Sequence, residues 1–262
     1  MGRFASSIFL ASSFPCSRAL STPAHMRVMS NRCALPSQSK KMMIAEKNIA
    51  NSYRIVKQTY IVFGVIIFFW IIAWLLKIQI DKVVSETELG SFIYWTTAKL
   101  LIWILPSFWL IRLSGRNLRQ ALNFSNYKQW LLWGFGIGFG VAFLGIVESY
   151  LNGSSIFPTQ FDYGLVNVLL ISPIFEEFLL RGGLMGNLQE THSFLKSNLI
   201  SSLMFVVLHI PGWFFMGSFI SNMTRLDGAV SIFLIGLLCG YAVNRGNSVL
   251  GGVIVHFLNN LA

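Results

Sequence analysis

Glu176 and Glu177 stand side by side in an otherwise apolar run, Ile171-Ser-Pro-Ile-Phe-Glu176-Glu177-Phe-Leu-Leu-Arg181. Carboxylates held in such surroundings are the groups that general acid–base chemistry uses to move protons. On a helix, Glu177 and Arg181 fall at i and i+4 with the acid first, the favourable order for an ion pair. Glu176 projects about 100° away from its neighbour. It is therefore left without a local partner, and desolvation makes such a carboxylate a better proton acceptor. Pro173, three residues earlier, predicts a loosened helix at this point.

Two further apolar runs carry histidine. In Phe205-Val-Val-Leu-His209-Ile-Pro211, Phe205 and His209 share a helical face, and Pro211 predicts a kink just past the histidine. In His256-Phe-Leu-Asn-Asn260, the spacing places His256 and Asn260 on one face. Lys99 is the remaining charge inside an apolar run, and its long stem suits a snorkelling or packing role without chemistry.

These residues need helices that cross a membrane. The 262-residue chain is 54% hydrophobic and 11% charged, against about 25% charged residues in soluble domains. Its mean hydropathy is +0.62. This excludes a water-soluble enzyme and a disordered chain. A bilayer-spanning helix needs about 20 mainly apolar residues. That length places spans near 60–76, 92–111, 130–147, 163–183, 199–219, 229–243 and 248–262. The expected fold is all-α, a polytopic transmembrane helical bundle of six to seven spans.

The net charge of +10 sits mostly at the front, where residues 1–59 hold nine bases and one acid. A charge so placed does not describe a nucleic-acid surface, and no nucleic-acid partner is expected. Residues 1–41 carry six bases and no acid, the composition of an organellar transit peptide or of an over-extended start before Met42 or Met43. The chain thus divides into a basic, largely unstructured segment 1–59, two membrane helices and a loop in 60–124, and a core in 125–262. Positive residues in the 112–128 loop predict a cytoplasmic N-terminus. The chain is accordingly an integral, multi-pass protein whose direct partner is the lipid bilayer. Cys16, Cys33 and Cys239 are too few and too scattered for a disulfide framework or a zinc ribbon. Gly134, Gly136, Gly138 and Gly140, and Gly236 with Gly240, have the spacing of close helix packing in membranes.

Counted from the inner ends of these spans, Glu176, His209 and His256 lie roughly 8, 15 and 12 Å deep. The similar depths predict one polar cluster on the cytoplasmic side. A proton relay or ion-coupled transporter uses such residues too, but no repeat of matched broken helices accompanies them.

The ordered set Glu-Glu-x-x-x-Arg, Phe-x-x-x-His and His-x-x-x-Asn, at Glu176–Arg181, Phe205–His209 and His256–Asn260, resembles the CAAX-protease and bacteriocin-processing family of intramembrane endopeptidases, over about residues 125–262. The resemblance implies hydrolysis of a peptide bond near the cytoplasmic face, in a peptide or prenylated-protein substrate. It implies that Glu176 activates water with the help of His209, that His256 and Asn260 serve the oxyanion, and that Glu177, Arg181 and Phe205 support the site. No His-Glu-x-x-His helix is present and metal ligation would rest on three dispersed residues, so no cofactor is expected. A zinc-dependent variant with Glu176, His209 and His256 as ligands is the metal alternative, and a non-catalytic immunity protein against a peptide toxin or bacteriocin is the binding alternative. The expected location is a bacterial cell membrane, with an organellar membrane as the alternative.

Overall fold

The computed structural model describes residues 38–153, 155 and 160–262, with side chains from Met42 onward. Expectations for residues 1–37 lie outside the described residues. Met42–Ala262 form one compact unit. Among the described residues seven principal helices follow in order: α1 (Gln38–Asp81), α2 (Glu88–Leu113), α3 (Tyr127–Leu151), α4 (Tyr163–Leu188), α5 (Phe194–Phe215), α6 (Leu226–Gly246) and α7 (Val249–Leu261). Short helical turns at Leu118–Leu122 and Phe219–Thr224 join neighbours. Among the described residues there is no strand. Six helices are long and apolar enough to cross a membrane and α7 is shorter, so the chain is an all-helical, multi-pass membrane protein.

One expectation needs correction. The segment 38–59 is not unstructured; it is the first part of α1. No glycine or proline interrupts residues 38–59, so nothing in the backbone opposes extending the helix backward from the apolar run. Elsewhere the boundaries follow local chemistry. Side chains of Thr87, Ser193 and Ser248 accept hydrogen bonds from the first free amides of α2, α5 and α7. Asn247 adopts a left-handed conformation (φ 50°) and ends α6, which lets α7 turn back immediately.

Packing is two-sided. Ile66, Trp70, Trp103, Leu110, Leu179, Leu184, Phe205 and Leu208 form a core shared by α1, α2, α4 and α5. Ile235, Cys239, Ala242 and Val255 join α6 to α7, with α3 against them. The glycine ladder of α3 works on one face only. A Cβ on Gly138 would stand 2.6 Å from Leu258, and one on Gly134 3.0 Å from Ile254, while Gly136 and Gly140 face open space. Phe139, Phe143 and Leu144 on α3 are exposed, an outer face suited to hydrocarbon.

The bundle has two chemically distinct ends. At one, Lys77 pairs with Asp81 at 2.6 Å and Glu86 at 2.9 Å, Trp74 stacks on Phe215, and Asn260 of α7 reaches the start of α4. At the other, Arg116 donates to Asn187 at 2.7 Å, and Asn123 and Asn126 hold the end of α6. The basic loop 112–128 belongs to this second end.

Candidate active site

Pro173 and the glycine pair shape α4. The helix opens into a π-turn at Asn167–Ile171, tightens to α over Ser172–Glu177, and opens again over Phe178–Met185. Proline lacks the amide that would close the ladder, and Gly182 and Gly183 allow the second widening. Such π-segments recur at functional sites. The two glutamates therefore sit on a short α-helical step between two wide turns.

Glu177 has no solvent exposure and Arg181 is 2% exposed. Arg181 Nη1 donates to Glu177 Oε1 at 3.1 Å, and Nη2 donates to the Gly236 carbonyl at 2.5 Å. The guanidinium also lies 5.3 Å from the Phe205 ring. A Cβ on Gly236 would meet Arg181 Nη2 at 3.2 Å and Ser202 at 3.0 Å, so the small residue on α6 admits the arginine. The pair expected from spacing is present, and it consumes one of the two carboxylates.

Glu176 faces the other way. It lines a cavity of about 270 Å³ together with Phe205, His209, His256 and Asn260. His256 Nε2 lies 3.8 Å from Glu176 Oε2, and its Nδ1 lies 3.3 Å from Glu177 Oε1. His209 Nδ1 stands 2.9 Å from the Phe205 carbonyl, which can only accept, so that nitrogen carries the proton. Nε2 of the neutral ring is left as an acceptor. Phe205 packs its ring edge-on against His209 at 4.9 Å and His256 at 5.5 Å. Asn260 donates to the Val168 carbonyl at 2.8 Å and accepts from Asn259 at 3.1 Å. The sequence-derived residues thus converge from three helices. α5 runs unbroken through Pro211.

Two readings change. The first concerns depth, which assumed that the fourth span ends near Arg181. α4 continues to Leu188, so Glu176 is close to its middle, about 18 Å from that end at helical rise. Val168 and Ser172 near the start of α4, His209 near the end of α5, and Asn260 near the end of α7 line the cavity. The cluster lies in the half of the bundle remote from the basic loops, not beside them.

The second concerns Lys99. It is 7% exposed and does not snorkel. Its Nζ donates to Ser172 Oγ at 2.5 Å and Asn167 Oδ1 at 3.2 Å, and lies 5.4 Å from the Trp103 ring. With Glu176 and His209 it lines a second cavity, of about 420 Å³, that adjoins the first. The available signal was its charge, because an ionisable residue inside a span points to function unless shown otherwise. Ser172 and the tryptophan wall of α1 and α2 carried no such mark.

Among the described residues no group of three or more histidine, cysteine, aspartate and glutamate side chains is placed to hold a metal ion. The larger cavity at the basic end, about 820 Å³, is lined by Arg116, Arg119 and Arg181 but by no carboxylate or histidine. A cavity of about 440 Å³ near the start of α2 is lined by Glu86, Glu88 and Asp162 but by no histidine, so carboxylate and histidine meet in the two cavities that share Glu176.

Residues 158–262 match the family described as type II CAAX prenyl endopeptidase Rce1-like. No curated protein and no solved structure matches. The matched segment contains α4 to α7 with all three motifs, and leaves α1, α2 and α3 outside it.

Proposed function

From the match of residues 158–262 to the type II CAAX prenyl endopeptidase Rce1-like family, we propose that this protein is an intramembrane endopeptidase in which Glu176 activates water. The observation that supports this reading most is the division of labour between adjacent glutamates. Arg181 neutralises Glu177, and Glu176 turns into a cavity beside two histidines. In the proposed step Glu176 takes a proton from water and the oxygen attacks the scissile carbonyl carbon. The proton then passes to the departing amine as the C–N bond breaks. His209 Nε2 accepts a hydrogen bond from the O–H that the water keeps and so orients the attacking lone pair. The amide proton of Asn260 not given to Val168, together with His256, donates to the developing oxyanion. The bond is cut inside the membrane, in the half of the bundle bounded by the start of α4 and the ends of α5 and α7. The substrate is a membrane-associated peptide, with a prenylated protein tail as the class the family name indicates.

The reaction as written needs no metal, and Glu177 and Arg181 hold the base in place. The test is cleavage of prenylated and unprenylated membrane peptides by the protein reconstituted in lipid, beside Glu176→Gln. Removing a general base should slow cleavage by about 100-fold or more. Equal cleavage by the two proteins would overturn the reading. A protein that cleaves nothing, while Glu176→Gln keeps its full biological effect, would favour a non-catalytic immunity role.

A further inference from the structure

The second cavity beside Glu176 has acceptors on one side, Glu176 and His209, and hydrogen-bond donors set in aromatic rings on the other. Its wall is aromatic: Trp70 and Trp103 lie 4.6 Å apart by ring centroid, and Trp74 and Trp95 4.4 Å apart. Two of these rings, Trp74 and Trp103, have buried indole N–H groups with no hydrogen-bond partner. Lys99 Nζ has two acceptors, Asn167 and Ser172, whereas an ammonium has three N–H bonds to give. A buried donor without an acceptor is costly and uncommon in native structures. The residues that carry these donors line one space of about 420 Å³ that also holds the carboxylate of Glu176, and a small turn of either indole brings its N–H to that space.

We propose that Lys99, Trp74 and Trp103 form a substrate subsite that takes an apolar peptide segment by its carbonyl or carboxylate oxygens. Indole faces supply the apolar surface, and the unfilled N–H groups select a ligand that carries acceptors. A purely hydrocarbon ligand would leave the donors unpaired, and a cationic one would meet Lys99. The subsite belongs to α1 and α2, outside the segment 158–262 that matches the family, so it gives this chain a selectivity that the shared motifs do not encode. The proposal rests on the peptidase reading for the word substrate, but its binding chemistry can be measured without cleavage.

The probe is acetyl-Leu-Phe-Leu-Val with a free carboxylate, compared with its C-terminal amide. Each is titrated into the full-length Glu176→Gln protein in zwitterionic nanodiscs and followed by tryptophan fluorescence. Saturable binding is expected. Lys99→Met in the same background should weaken it about tenfold or more, Lys99→Arg should restore most of it, and Trp103→Phe should weaken it several-fold while keeping the ring. Loss confined to the free acid identifies a terminal carboxylate as the acceptor; equal loss for both peptides identifies a main-chain carbonyl. Unchanged affinity in both Lys99→Met and Trp103→Phe, or no saturable binding of either peptide, overturns the proposal. Should Lys99→Met fail to fold, Trp103→Phe decides alone. If binding follows this pattern while the wild-type protein cleaves no peptide, the peptidase reading fails and the subsite stands.

Discussion

His256 stands between the two glutamates, with Nδ1 3.3 Å from Glu177 Oε1 and Nε2 3.8 Å from Glu176 Oε2. α7 thus ties the proposed base to the buried ion pair that braces it, and any change in that brace is transmitted to Glu176 through one imidazole.

The brace should be worth much more to folding when half of it is removed than when all of it is. Arg181→Ala leaves Glu177, which has no exposed surface, without its cation. Removing one partner of a buried pair costs about 3–5 kcal/mol. Low folded yield and a lowered melting temperature in detergent are expected for Arg181→Ala. Partial recovery is expected in the double variant with Glu177→Gln, since no unpaired charge remains. A melting temperature equal to wild type for Arg181→Ala would remove the structural role assigned to the pair.

Metal dependence is open to a direct measurement. His209 is fixed with Nδ1–H on the Phe205 carbonyl, and both nitrogens of His256 face carboxylate oxygens. His256 Nδ1 is engaged by Glu177, and among the described residues no set of three such side chains is placed to hold an ion. Protein purified without chelator should contain well under one zinc per chain, and cleavage should persist in strong chelator. Stoichiometric zinc lost together with activity would instead assign Glu176, His209 and His256 as its ligands.

Much of the site was legible in the sequence because membranes make charge expensive. Glu176, Glu177, Arg181, His209 and His256 stand out from apolar runs, and helical spacing fixes which of them share a face. What spacing within single helices does not encode is the packing between them. Lys99 comes from α2, and its partners Asn167 and Ser172 lie on α4, so no local pattern joins them. The depth of Glu176 was misplaced for a related reason. Arg181 looks like the end of a span because arginine is usually interfacial, but here Glu177 and the Gly236 carbonyl keep it inside. The early start of α1 is hidden by its charge, which resembles that of a disordered head, although residues 38–59 contain no helix breaker.

Gly252 on α7 offers the sharpest separation of site geometry from overall stability. A Cβ there would stand 2.7 Å from Glu177 Oε2 and 2.9 Å from Val243, closer than side chains pack. The Glu177 carboxylate, Val243 on α6 or α7 itself must shift to admit it, and a shift of Glu177 or α7 reaches His256, one turn further on. Overpacking of this kind costs about 1–3 kcal/mol, partly offset by the better helix propensity of alanine, about 1 kcal/mol. Gly252→Ala should therefore melt near wild type yet cleave at least about tenfold more slowly, the scale of a displacement that disturbs near-attack geometry. Gly136→Ala on α3 is the control, because its Cβ would meet nothing within 4 Å. That variant should melt at or above the wild-type temperature and cleave at the wild-type rate. Wild-type cleavage by Gly252→Ala would show that the contact between α7 and Glu177 does not set the position of His256.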